Sequence, residues 1–389
     1  MIRVLWAILL VAVSTNFPSP FFPIYAAHYG LTNFEVTALF ATYAACLLPL
    51  LLLAGPVGER IGMKRVAFAA LVMTVISAGI FLVANRPWML YVARAAEGIA
   101  VGAFMGTGNA LLLRHSPYRT SVSMTLSGIL TMVGFGLGPL ICGAIIQYSP
   151  WMPEKLPYLL LLLGMGSAAG PILSLRDQEP HTDRHQAFRI RLGIPAESRR
   201  LFWSFVAPAA FTMLALNGVV ISLIPAYVRA LLHSTNLAVP GLLLFVFFGG
   251  AAVAQCYPKP EGRLQRIQTG IACLIAGTWM MIMAGSHESM GLLWLGMALM
   301  AIGNGWVFQA CLQLVGKMGE TTSHARAIST FYVAAYLGMA FPTIGVGMLS
   351  TMYGLMPALI GFGMLVTVIG LGILVSPVWL EKRKIATSN

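Results

Sequence analysis

Charge is what this chain has least of. Charged residues make up 9% of its 389 positions, and only 12 of them are acidic, against roughly 25% charged in a soluble domain. Together with 58% hydrophobic residues, that scarcity excludes folding around one aqueous core and leaves an integral membrane protein. Cysteine chemistry is missing as well. Cys46, Cys142, Cys256, Cys273 and Cys311 are scattered in or beside apolar runs with no CxxC or Cys/His spacing, so neither a disulfide framework nor a metal site is indicated. No P-loop glycine motif is present, which argues against ATP-driven pumping, and no cofactor is expected. The seven histidines lie mostly in loops, with no Asp or Ser cluster inside the apolar runs. An enzyme is therefore not expected, and neither is a sensor, which would need an added soluble domain. The net charge of +12 sits in short loops rather than on a basic face interleaved with aromatics, which argues against nucleic acid.

What the chain does have is apolar runs of about 20 residues, the length a membrane helix needs. Twelve are expected, near 4–25, 36–55, 66–84, 88–112, 121–147, 157–175, 201–229, 237–256, 268–285, 290–316, 325–351 and 354–377. The first run lacks a small-residue cleavage site and reads as a span rather than a signal peptide. With the N-terminus inside, alternate loops on the inner side collect nearly all the Lys and Arg, the outer side holds only Arg86, Lys155 and Arg229, and Arg94 falls within a span. This positive-inside asymmetry predicts two cytoplasmic termini. The fold class expected is all-α, with twelve transmembrane helices in two pseudo-symmetric six-helix bundles. The bundles are 1–175 and 201–389, with a cytoplasmic linker over 176–200 in which Ala187–Leu192 could form a short interfacial helix.

The halves echo one another. Gly98 and Gly303 occupy matching places in the fourth and tenth runs, and Pro139 and Pro342 in the fifth and eleventh, as in transporters with parallel repeats. The Arg94 and Glu97 beside Gly98 have no counterpart in the second half.

Three segments of the first half resemble the major facilitator superfamily. Gly55-Pro-Val-Gly-Glu59-Arg60-Ile-Gly62-Met-Lys64-Arg65 looks like its G-x-x-x-D-R-x-G-R-K/R loop, with Glu59 in place of Asp and Met63 in place of Arg. Arg94-x-x-Glu97-Gly98 is similar to its R-x-x-Q-G pattern. Gly134-x-x-x-Gly138-Pro139-x-x-Cys142-Gly143 resembles the G-x-x-x-G-P-x-x-G-G motif of proton-driven drug exporters, with Cys142 replacing a Gly. The matching second-half loop departs too far for any role to be carried onto it.

The resemblance implies that Glu59 meets the start of span eleven, near Ser323 to Arg326, where a helix N-terminus carries partial positive charge. Gly55, Gly62, Arg60, Lys64 and Arg65 would complete this gate, although the bases also satisfy the positive-inside rule alone. Glu97 is the one carboxylate well inside an apolar run, where charge is costly, and Arg94 lies one turn earlier on the same face. Two readings stay open: a static ion pair, or a coupling site where burial favours the protonated acid and Arg94 the carboxylate. Gly134, Gly138 and Gly143 with Pro139 suit close packing and a bend. Asn16, Tyr43, Asn109, Asn217, Asn304, Gln309, Gln313, Tyr332 and Tyr336 are the candidate lining of a midplane cavity between the halves.

The function expected is a secondary transporter working by alternating access, exporting small apolar or cationic compounds such as drugs by proton antiport. The alternatives are export of an endogenous metabolite or metal-chelating small molecule, or proton-coupled import. Its partners would be a small-molecule substrate, protons and the lipid bilayer. The chain is expected as a monomer in a bacterial-type inner membrane.

Overall fold

The structure, a computed structural model, describes residues 1–175, 192–257, 262–318 and 321–386, with side chains at 120–121, 321–325 and 377–386 left aside. Most of the linker 176–200, including its expected interfacial helix, lies outside the described residues. Among the described residues the secondary structure is helical, and twelve segments are long and apolar enough to cross a membrane. The first half comprises α1 (Ile2–Asn16), α2 (Phe22–Tyr29), α3 (Asn33–Ile61), α4 (Met63–Val83), α5 (Pro87–His115), α6 (Thr120–Tyr148) and α7 (Leu156–Leu173). The second comprises α8 (Arg199–Leu201), α9 (Ala207–Leu231), α10 (Ala238–Cys256), α11 (Arg263–Ser286), α12 (Met290–Val315), α13 (Thr321–Tyr353) and α14 (Leu355–Ala386). A π-helical turn, Phe202–Val206, joins α8 to α9.

The first span is broken, as the Pro18-Ser-Pro20 sequence predicts. A 3₁₀ turn over Ser19–Phe21 separates α1 from α2, because proline can neither donate to the helical ladder nor fit beneath its preceding turn. Span two starts on a capping box, in which Thr32 accepts from the Glu35 amide and Glu35 accepts from the Thr32 amide at 2.7 Å. Its other end corrects an expectation. Gly55 to Ile61, read above as part of a loop, continues α3, and the turn into α4 falls on Gly62 alone, at φ +102°. Glycine is the residue that reaches such a φ without a Cβ penalty.

The repeat is legible in the packing. A Cβ on Gly134 of α6 would meet Ala12 and the backbone of α1, and a Cβ on Gly338 of α13 would meet the backbone of α9 at Phe211. Each bundle thus seats the same pair of its helices backbone to backbone. The second pairing differs from the sequence alignment. Gly98 lies against α3 at Tyr43, and the equivalent contact is made by Gly305 against α10 at Ala251, whereas Gly303 turns to α11.

Alternation of spans gathers one set of helix ends at one face. Arg3, Arg60, Lys64, Arg65, Arg114, Arg119, Arg199, Arg200, Arg263 and Lys317 lie at this basic face, and Arg86, Lys155 and Arg229 toward the far face. Two bonds tie the N-terminal bundle together there. Arg3 donates to Ser174 at 3.0 Å, and the Lys64 ammonium donates to the Leu175 carbonyl at 2.8 Å.

Candidate functional site

Toward the far face the two bundles are hydrogen-bonded to each other. The Phe34 amide of α3 donates to Thr351 of α13 at 3.0 Å, and the Leu237 amide donates to Gln147 of α6 at 2.8 Å. Gly347 packs on Thr37, and Gly241 of α10 sits on the Pro139 carbonyl, with no room at either glycine for a Cβ. Pro139 lacks an amide hydrogen, and its ring blocks the carbonyl one turn back; its own carbonyl lies in the seam between bundles.

The exporter-like motif of α6 therefore divides its work between two surfaces. Gly134 and Gly138 face α1 within their own bundle, while Pro139 and Gly143 face α10 across the seam. The close packing expected of these glycines is therefore spread over two faces of the helix. Residues four apart share a side of a helix, but the step from 138 to 139 turns about 100°.

Behind this seam a cavity of about 140 Å³ lies between the bundles. Asn16, Tyr43, Asn109, Asn217, Tyr332 and Tyr336, all read from the sequence as candidates, line it. Asn304, Gln309 and Gln313 do not. The α12 backbone is fixed by Gly303 against α11 and Gly305 against α10, which aims Phe308 and Leu312 at the cavity instead. Asn304 is one turn from Phe308 on the same stripe and 1% exposed. Gln309 turns away to donate to the Gln255 carbonyl at 3.0 Å and to accept from Arg266 at 3.3 Å, and Gln313 is exposed.

Sequence reasoning missed the α6 contribution. Ser127, Thr131 and Phe135 recur every four residues and form the cavity wall; that spacing was the available signal. Ser127 donates to Asn109 at 2.6 Å, whose amide nitrogen donates back to the Met105 carbonyl at 3.2 Å. The pair braces α5 against α6 with an acceptor and hydroxyl at the cavity rim. Asn16 donates to the Phe135 carbonyl at 3.3 Å. Phe135 and Phe248 meet edge to face across the bundles at 5.6 Å. The Asn217 amide oxygen is buried without a hydrogen-bond donor. Methionines 105, 124, 132, 213 and 339 complete an adaptable apolar wall. No charged side chain is among the described residues of this lining.

The charges lie one side chain behind it. Arg94 and Glu97, on one face of α5, pair at 2.6 Å and are 1% and 3% exposed. Arg94 also donates to the Thr15 carbonyl at 3.2 Å. Its guanidinium carbon is 4.8 Å from the Tyr43 ring centroid, 5.5 Å from that of Phe40 and 5.9 Å from that of Phe22. These rings offer a cation their negative faces where its Nε and Nη2 lack hydrogen-bond acceptors. Thr15 and Tyr43 belong to the cavity wall, so the ion pair touches the cavity through two residues that it holds directly.

The proposed gate is only partly visible. Glu59 and Arg65 are exposed, Arg60 and Lys64 half-buried, and Gly62 is the turn. The facing side chains at 323–325 lie outside the described residues.

The chain matches the family model described as Major Facilitator Superfamily over residues 4–343. No curated protein matches it in sequence. Among solved structures, that of the human organic anion transporter MFSD10 (TETRAN) aligns at TM-score 0.67 and 16% identity, covering 95% of this chain and 98% of that one. The nucleoside transporter NupG aligns at 0.73 and 11% identity, covering 96% and 98%. A bacterial homologue of the human lysosomal transporter Spinster, inward-facing and unoccupied, aligns at 0.73 and 13% identity, covering 96% and 95%. Likeness at these identities is one of fold.

Proposed function

Because the chain belongs to the Major Facilitator Superfamily, and so to a superfamily of membrane transporters, we propose that it exports small, uncharged, aromatic or apolar compounds in exchange for protons. The observation that carries this reading is the cavity between the bundles, with uncharged walls and a buried ion pair immediately behind Thr15 and Tyr43. A carboxylate in the lining would favour a cationic substrate. Its absence from the described lining favours a neutral one, held by aromatic faces and by the amides of Asn16, Asn109 and Asn217.

Glu97 is the proton site in this reading, and Arg94 is its counter-charge. Substrate that displaces Tyr43 or the Thr15 backbone loosens the grip of both on Arg94, and so changes the balance between protonated acid and carboxylate at Glu97. Transport then follows alternating access, with the far-face seam of Pro139, Gly143 and Gly241 opening as the basic face closes. Glu59, Arg60, Lys64 and Arg65 form the closing contact at the basic face. By the positive-inside asymmetry that face is cytoplasmic, in a bacterial-type inner membrane.

The test is transport in proteoliposomes under an imposed pH gradient, run over a panel of neutral aromatic and cationic compounds. The expected result is dissipation of the gradient that depends on a neutral compound and is lost in Glu97→Gln. Accumulation against a gradient by Glu97→Gln, undiminished and indifferent to pH, would make the ion pair a static one.

A further inference from the structure

A second and larger hollow, about 810 Å³, opens on the outer flank of the C-terminal bundle at the basic face. Its floor is apolar: Pro208 and Phe211 of the span-seven helix, Val333, Ala334 and Leu337 of α13, and Ile369 of α14. One wall is the segment Leu192–Ile194, which the Gly193 amide pins to Thr330 by a 3.0 Å bond. The mouth carries Trp203 and Arg199. Trp203 is 58% exposed and Leu337 40% exposed, so the groove opens away from the substrate cavity, onto the surface that meets the acyl chains.

We propose that this groove binds one anionic phospholipid, with an acyl chain along the α9–α13 floor and its phosphate on Arg199. Three observations converge on that occupant. Among the described residues, the groove combines an apolar length with one cation, Arg199, at one end, the charge pattern of an anionic amphiphile reversed. Arg199 donates through Nε to the Ile194 carbonyl at 3.3 Å, which orients the guanidinium at the mouth and leaves its Nη groups for a paired contact with phosphate oxygens. Trp203 is exposed near the start of the seventh span, the end of a membrane helix at which indole rings are enriched, in a π-helical turn, Phe202–Val206. Such single-turn π segments cluster at functional sites, and this one buries Phe202, Phe205 and Val206 while Trp203 stays exposed. Bound there, the lipid would bridge the end of the linker to α9 and α13, and so brace the C-terminal bundle where the chain enters it.

The full-length protein, purified and incubated in mixed micelles of phosphatidylglycerol and phosphatidylcholine at equal concentration, is examined by native mass spectrometry. The wild type is expected to retain one phosphatidylglycerol in several-fold preference to phosphatidylcholine. Arg199→Gln should bring the two lipids to parity, and Ala334→Trp, which fills the floor, should lower retention of both. Arg200→Gln, a neighbouring exposed charge outside the groove, should keep the preference, and Arg199→Lys should restore part of it. Competition by glycerol phosphate without acyl chains should be weak. Equal losses in Arg199→Gln and Arg200→Gln would mean diffuse surface charge and overturn the proposal. So would a wild type that retains neither lipid, the result if residues 176–191 of the chain itself fill the groove.

Discussion

Glu97→Leu is expected to destabilise the protein far more than Glu97→Leu combined with Arg94→Leu. The pair is 2.6 Å apart, with side chains 1% and 3% exposed, so neither member has bulk water to fall back on. Removing the carboxylate alone strands an arginine, which keeps its charge, and breaking a buried pair this way costs about 3–5 kcal/mol. Replacing both members by leucine removes the need to desolvate either charge, which in comparable pairs is neutral or stabilising by ~1–4 kcal/mol. Against that stands the loss of cation–π attraction to Tyr43, Phe40 and Phe22, worth about 0.5–2 kcal/mol. The double variant should therefore fall within about 2 kcal/mol of the wild type by the same reasoning. Thermal unfolding in detergent, followed by loss of the monodisperse peak, gives the order wild type and double variant together, with the single variant well below. A double variant as labile as the single one would refute the picture of the pair as a self-contained unit. Both variants should be inactive in proton-coupled transport, which separates stability from coupling.

Further outcomes follow from the packing. Gly241→Val forces a side chain into the Pro139 carbonyl across the seam, so the far face should open, read as faster modification of a cysteine placed at Thr37. Ser127→Ala removes the 2.6 Å bond that braces Asn109; a bond of this kind is worth about 1 kcal/mol, so apparent substrate affinity should fall roughly five-fold with the melting temperature little changed. Asn304→Leu should raise the melting temperature, because both polar atoms of its buried amide lack partners and an unmet buried group costs ~1–3 kcal/mol. A drop instead would mean that Asn304 holds water or substrate.

The twelve spans were legible because each is an apolar run of membrane length, and the Arg94–Glu97 pair because three residues of helix bring two side chains together. The direction each helix faces was less legible. In a helix that is apolar all round, hydrophobic periodicity carries little information about which stripe meets the core. Gln309 and Gln313 are polar residues in a span, but what aims α12 is the close seating of Gly303 and Gly305 on two different neighbours, which leaves their stripe beside the one that carries Phe308 and Leu312 to the cavity. The Ser127 and Thr131 hydroxyls carry a weaker signal, since small polar residues in a membrane helix can return their bonds to their own backbone; Thr131 does so, to Ser127 at 2.8 Å, and still faces the cavity. The stretch Gly55–Ile61 read as a loop because its glycines and charges resemble one. Yet only Gly62 adopts a backbone angle that ends the helix.

Alternating access is tested most directly by two spin-label distances measured in one protein reconstituted in lipid. One pair spans the far-face seam, at Tyr148 and Thr235, and the other the basic face, at Arg114 and Lys317; all four side chains are exposed. Lowering the pH on one side, or adding substrate, should lengthen the first distance while shortening the second, in populations that exchange rather than drift. Two distances that stay fixed under every condition, or that widen together, would contradict a cavity open to one face at a time.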